Sequence, residues 1–333
     1  MEFVNVIFDT DLGSDCDDAG ALAVLHALER RGEARILAAT HCTSTPGGAA
    51  CVDTINRYYG RGDIPMGRLT ETDLSADPSF DVYGSIVAET FPYNKDIKDI
   101  PCATETLRRV LAEQPAHSVT LAAVGPLRNI ARLLTSAPDE YSPLNGVELV
   151  RQTVKELVVM GGAFMPLGSP LYNPQEFNIA CDIPGAQTVV RLCPVPIVFS
   201  GSEIGHQLVT GQRLYELQDP QNPVWYSYFL HRQYCLRAEA RDLGHPEEVA
   251  PVTMFTRPSW DQSAVLYAVR GAGNDFDLSP RGVVEIDDNG TTHFREDPNG
   301  LHRFIRSLPQ QDITLATIDE LMLPVATVQP AVV

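Results

Sequence analysis

The feature that most constrains this chain is a rhythm of short apolar runs, each stopped by a turn residue and followed by a helix-length segment. Val4–Phe8 is the first run, and Ala19–Arg31 follows it with helical periodicity. Arg35–Ala39 and Ala49–Tyr59 repeat the pair. Ser118–Val124 ends at Gly125-Pro126 and precedes a helical Leu127–Leu134. Leu157–Met160 ends in Gly161-Gly162, and Ile197–Ser200 stops before Gly201. Continuously apolar strands are buried on both faces, which calls for helices above and below a parallel sheet. The expectation is therefore the α/β class: one domain over residues 1–333, with a mostly parallel, doubly wound sheet flanked by helices and right-handed crossovers. Pro220–Glu248 reads as helices rich in aromatic and basic residues. Residues 275–333 read as a C-terminal extension carrying a β-hairpin that turns at Asn289-Gly290. Two irregular stretches, about Ser75–Asp99 and Phe164–Gln175, are long for structureless connections and read as active-site loops.

Charge narrows the partners. The formal net charge is −18, whereas phosphate backbones demand a basic surface, so a nucleic-acid partner is not expected. No apolar run is long enough to span a bilayer, and Val4–Phe8 is too short for a signal-peptide core. The seven cysteines are scattered and form no CxxC pair. They read as free thiols in a reducing compartment, hence a cytoplasmic location.

The chemistry concentrates where the first strand meets the first helix. Asp9, Asp11, Asp15, Asp17 and Asp18 fall within Asp9-Thr10-Asp11-Leu12-Gly13-Ser14-Asp15-Cys16-Asp17-Asp18. Ligands of open parallel sheets bind at the carboxyl ends of strands, so this is where a site belongs. Carboxylates this close stay ionised together only if a cation or hydrogen-bond donors offset them. A hard cation such as Ca²⁺ or Mg²⁺ suits oxygen ligands with no histidine or thiolate partner. Gly13 permits the tight turn. An acid-decorated helix N-terminus would account for Asp15, Asp17 and Asp18 through the macrodipole. It does not account for Asp9 and Asp11, which end a buried strand.

At this point the residues resemble the inosine–uridine-preferring nucleoside hydrolase family, whose first strand is followed by DxDPGxDDAxA. Here the segment reads DTDLGSDCDDAGAL, with two extra residues before Asp17-Asp18-Ala19 and Leu12 in place of proline. Ala123-Val124-Gly125-Pro126-Leu127-Arg128-Asn129 resembles the family's TGPLTN turn, and Val159-Met160-Gly161-Gly162-Ala163 its MGG strand end. Glu176-Phe177-Asn178 resembles its EFN segment, Glu203-Ile204-Gly205-His206 its next short motif, and Asp261 its late active-site aspartate.

The resemblance implies calcium-dependent hydrolysis of the N-glycosidic bond of a ribonucleoside or similar N-riboside. It implies Asp11 as calcium ligand and general base, with Asp18, the Val124 carbonyl and Asp261 as further ligands. It implies Asp17, Glu176 and Asn178 as sugar contacts, and self-association as a dimer or tetramer. Asp15 is created by the insertion and reads as an extra substrate contact or a supporting acid. Trp260 stands where pyrimidine-tolerant relatives carry a histidine, so it offers an aromatic face to the base in place of a general acid. Tyr83, in the first irregular loop, reads as a lid residue on the substrate. Tyr228, His231 and Arg232 share a helix that could face the base, while His41 and Thr45 follow the second strand.

Two other readings stay open. One is a calcium-dependent sugar- or nucleoside-binding protein on the same scaffold. The other is a haloacid-dehalogenase-like phosphohydrolase, whose nucleophile motif resembles Asp9-Thr10-Asp11 but gives no role to Asp17-Asp18.

Overall fold

In the computed structural model, which describes residues 3–72, 80–92, 97–165 and 174–324, the first apolar run becomes an inner strand of the main sheet. That strand, β1 (Val4–Thr10), is followed by α1 (Asp17–Arg30), β2 (Ala34–His41), α2 (Gly48–Tyr58) and β3 (Met66–Arg68). Next come α3 (Gly84–Thr90), α4 (Ala103–Ala112), β4 (Val119–Ala123), α5 (Arg128–Thr135), α6 (Gly146–Thr153) and β5 (Val154–Met160). The middle of the chain supplies α7 (Phe177–Cys181), α8 (Ile183–Leu192), β6 (Ile197–Ser200), α9 (Ser202–His206), β7 (Val209–Thr210) and α10 (Gln212–Glu216). The last part supplies α11 (Pro223–Asp242), β8 (Arg257–Pro258), α12 (Trp260–Arg270), β9 (Asp277–Leu278), β10 (Gly282–Ile286), β11 (Thr292–Glu296), β12 (His302–Ser307) and α13 (Gln311–Leu321). No described helix is long and apolar enough to cross a membrane.

The sheet runs β11-β10-β12-β6-β5-β4-β1-β2-β3, with β9 against β12. From β3 through β6 every neighbour is parallel. The period of two along β1 sorts its side chains between two cores. Val6 and Phe8 join a cluster with α1, α2 and α12, while Ile7 joins another with α4, α5 and α8. Helices therefore cover both faces, as the apolar runs require. The chain winds outward from β1 to β3, then returns to β4 on the other side of β1. The crevice at that reversal, beyond the carboxyl ends of β1 and β4, is the usual ligand site of such sheets.

The expected strands and the first helices form within a few residues of their expected ends. Pro220–Glu248 gives one helix, α11, which ends at Asp242. Within the first irregular stretch lies α3; residues 75–79 and 93–96 of that stretch are outside the described residues, as are 166–173 of the second. The hairpin forms between β10 and β11, with Gly290 at φ 83° in its turn. It does not hang from the domain. Its continuation, β12, lies between β10 and β6 and runs parallel to β6, so this part of the 275–333 segment belongs to the main sheet; residues 325–333 lie outside the described residues. Phe304 of β12 stacks on Phe164 with ring centroids 4.6 Å apart.

Candidate active site

The end of β1 sorts its acids by direction. Asp9 turns into the protein, where it accepts hydrogen bonds from Thr40 Oγ1 at 2.5 Å and Asn129 Nδ2 at 2.8 Å. Burial pushes its carboxyl up to about 7 against those two bonds. Asp9 thus ties β1 to β2 and α5 and does not reach the cavity. Thr10 Oγ1 donates to Asp18 and accepts from the Leu12 amide at 3.2 Å, which anchors the following loop. Gly13 takes φ +131°, a backbone state that side chains disfavour, and its carbonyl accepts from the amides of Val82 and Tyr83. The chain then enters α1 with Asp17 and Asp18 in its first turn, where the helix dipole favours them.

These residues open onto a cavity of about 400 Å³. Its floor is Asp11, Asp17, Asp18 and Asp261, all buried. Asp17, Asp18 and Asp261 each place a carboxylate oxygen within 4.8 Å of the other two. The Asp261 amide, at the start of α12, donates to Asp17 Oδ2 at 3.2 Å. Burial first, then the charges of Asp15, Glu176 and Asp9, lift Asp11 to about 7. Burial and mutual repulsion lift Asp17, Asp18 and Asp261 well above the usual carboxylate range. The β4 end crowds this floor: a Cβ on Gly125 would lie 2.6 Å from Asp11 Oδ1, so glycine is required there.

One wall is the EFN segment. Glu176 caps α7, accepting from the amides of Asn178 at 2.9 Å and Ile179 at 3.1 Å, and it also accepts from the Gly162 amide at 3.0 Å. Burial raises its carboxyl against those bonds. Asn178 Nδ2 donates to the carbonyls of Val124 at 2.8 Å and Met160 at 3.1 Å. Both side chains line the cavity while fastening its wall, and the Val124 carbonyl keeps a second lone pair. The floor offers only oxygen donors. Arg257, the arginine in the cavity lining, is bound to Asp15 instead. Such a set suits a hard, oxygen-preferring divalent cation, which would offset the crowded charge.

The opposite corner is built around Asp15. Arg257, on the short strand β8, donates through Nε to Asp15 Oδ1 at 2.8 Å and through Nη2 to Asp15 Oδ2. Burial alone would raise Asp15, but the Arg257 bonds and charge, aided by His231, hold it below the usual range. His231 Nε2 lies 3.5 Å from Asp15 Oδ1, and burial pushes its own pKa down against that carboxylate. The guanidinium also sits over the Trp260 ring, 4.9 Å from the centroid. Trp260 donates through Nε1 to the Ser202 carbonyl at 2.8 Å and meets His206 edge-on at 4.9 Å. One face of the indole is therefore covered by Arg257.

The structure brings Asp11, Asp15, Asp17, Asp18, Val124, Glu176, Asn178, Trp260 and Asp261 to one cavity, with His206 and His231. Tyr83 stands outside that lining. It is fully buried, and its hydroxyl donates to the Asp15 carbonyl at 2.6 Å, so it props the acidic loop from behind. Tyr228 is also buried away from the cavity, where its hydroxyl accepts from Gln262 at 2.8 Å. Arg232 pairs with Glu239 at 2.7 Å on the outer side of α11. His41 is buried under the loop, with Nε2 2.9 Å from the Leu12 carbonyl, and the Thr45 hydroxyl lies 3.1 Å from that of Thr43. Arg257 is not legible as a site residue in the sequence. Its one signal was a lone arginine four residues before Asp261 in Arg257-Pro258-Ser259-Trp260-Asp261.

The chain is similar in sequence and in fold to known proteins. Residues 6–303 match the family model for inosine-uridine preferring nucleoside hydrolases. The non-specific ribonucleoside hydrolase RihC of Salmonella schwarzengrund is 30% identical over 219 residues, an alignment spanning 62% of this chain and 63% of the relative. Among solved structures, the plant nucleoside hydrolase PpNRh1 superposes with TM-score 0.68 at 21% identity, covering 96% of this chain and 98% of the other. The type III effector XopQ, determined in complex with adenosine diphosphate ribose, gives 0.72 at 13% identity over 97% and 95% of the two chains. With the family model matched over most of its length and the acidic floor assembled at the sheet's reversal, this chain belongs to the inosine-uridine preferring nucleoside hydrolase family.

Proposed function

We propose that the protein hydrolyses the N-glycosidic bond of a ribonucleoside or similar N-riboside, releasing base and ribose, with calcium held at the acidic floor. The observation that carries this reading is the floor itself: Asp11, Asp17, Asp18 and Asp261 converge, buried and, among the described residues, without a bound side-chain cation, beneath a cavity of about 400 Å³. Asp11, Asp18, Asp261 and the Val124 carbonyl would hold the ion, and Asp17 lies close enough to share it. When bound, calcium would orient and acidify a water and fix sugar hydroxyls.

The protein's own groups supply the rest. Glycosidic cleavage develops positive charge on the sugar ring, and carboxylates beneath it stabilise that charge. Asp11, which lines the cavity at the end of β1, would take the proton of the attacking water. Asp17 and Asp261, linked by the hydrogen bond from the Asp261 amide to Asp17 Oδ2, would accept from ribose hydroxyls. Glu176 and Asn178 keep the wall rigid, which lowers the entropy cost of reaching the reactive geometry.

The test is a panel of inosine, guanosine, adenosine, uridine and cytidine, scored for reducing sugar with and without chelator. Sugar release that chelator abolishes and calcium restores supports the reading. Tight binding with no release from any riboside would instead make the protein a binder on this scaffold.

A further inference from the structure

The corner opposite the floor carries chemistry that the sugar does not use. We propose that Arg257 is a catalytic residue for the leaving group, receiving the negative charge of a base that departs as an anion. This rests on the hydrolase reading above.

Three observations carry it. First, Arg257 is held in place: Asp15 grips Nε and Nη2, and the guanidinium lies on Trp260. Trp260 is itself fixed, because its indole nitrogen is bonded to Ser202 and its ring packs on Gly205, where a Cβ would meet it at 2.2 Å. Second, a guanidinium has five N–H donors and Asp15 takes two. Among the described residues Nη1 has no hydrogen-bond partner, so donors remain for the cavity that Arg257 lines. Third, each neighbouring imidazole is already tied to the protein through at least one ring nitrogen. His206 Nδ1 lies 2.7 Å from the Ser202 carbonyl, and His231 faces Asp15 and the Cys235 thiol.

A guanidinium does not give up a proton in proteins, so its contribution is charge rather than acid catalysis. The step balances without a proton donor. The C1′–N bond breaks and its electron pair stays on the base, against Arg257. A water oxygen forms the new C1′–O bond, and its proton goes to Asp11. The released base anion takes a proton from solvent, and Asp11 returns its own. The preferred substrate is a riboside whose aglycone carries nitrogen or oxygen acceptors that share this charge.

The experiment compares Arg257→Gln with the parent chain, both loaded with calcium, on inosine, uridine and 4-nitrophenyl riboside. The last releases a stabilised anion that needs little help. Loss of a preorganised charge stabiliser should lower kcat on inosine and uridine about 10²-fold, and on 4-nitrophenyl riboside by less than about 10-fold. Asp15→Asn, which loosens the guanidinium, should give the same pattern more weakly. Equal loss on all three substrates would mean that Arg257 only holds the fold together, and unchanged kcat would remove it from the chemistry; either overturns the inference while leaving the hydrolase reading intact. No release by the parent chain from any riboside overturns both.

Discussion

The two ends of the cavity handle charge in opposite ways. At the floor, Asp11, Asp17, Asp18 and Asp261 are buried together, and among the described residues no side-chain cation is bound to them. At the corner, Asp15 is as much a part of the acidic segment, yet Arg257 grips it through two hydrogen bonds. The floor raises carboxyl pKa values and the corner lowers one. The contrast separates two meanings of one sequence run: uncompensated charge is a ligand site, and compensated charge is a positioning device.

Neutralising the floor should have the largest effect. Asp11→Asn removes the proposed base and a cation ligand, so turnover should fall about 10³-fold or more while circular dichroism stays unchanged. Normal activity in that variant would sink the assignment of Asp11. Next comes the cation. If calcium offsets the floor, saturating it at about 100 times its Kd should stabilise the protein by about 2.7 kcal/mol. The sign with pH follows from Asp11, whose folded pKa is raised from 3.8 to about 7. Between those values the metal-free folded state binds more protons than the unfolded state, so its stability is lost as pH rises through the window. The calcium-induced rise in Tm should therefore be larger at pH 8 than at pH 5, and the reverse order would contradict an uncompensated floor.

Stability should then move in opposite directions at the two ends. Arg257→Gln leaves Asp15 without its charged partner and should destabilise the protein by about 2 kcal/mol. Combining it with Asp15→Asn should recover part of that loss, measured by urea denaturation. Asp17→Asn in chelated protein should instead stabilise by roughly 1 kcal/mol at pH 8, because one buried like charge is removed. Destabilisation of similar size at both sites would erase the distinction.

How much of this the sequence discloses depends on how local the cause is. β1, β2, β4, β5 and β6 were legible because burial on both faces makes their sequences continuously apolar. β12 reads His302-Arg303-Phe304-Ile305-Arg306-Ser307, whose arginines conceal a strand paired to β6. β3 has three residues and β7 and β8 two each, too short for any pattern to register. Asp11, Asp17 and Asp18 stood out because one turn gathers them, and Asp261 was reached only through resemblance to a family. The Asp15–Arg257 pair joins residues 242 positions apart, so neither partner explains the other in one dimension. A loop position suggests a lid for Tyr83, but α3, which it precedes, packs against α2 and draws the ring inside.

The place of β12 has a consequence for synthesis. Strands β1 to β6 emerge from the ribosome in sequence and can pair among themselves, but the outer edge of β6 has no partner until His302 has been made. Until then the nascent chain carries an open, apolar edge, the kind of surface on which two unfinished chains pair with each other. Release of a chain cut short before β12 would leave that edge permanently bare. Strand β12 thus acts as a seal, and chaperone demand should concentrate in the interval before it closes.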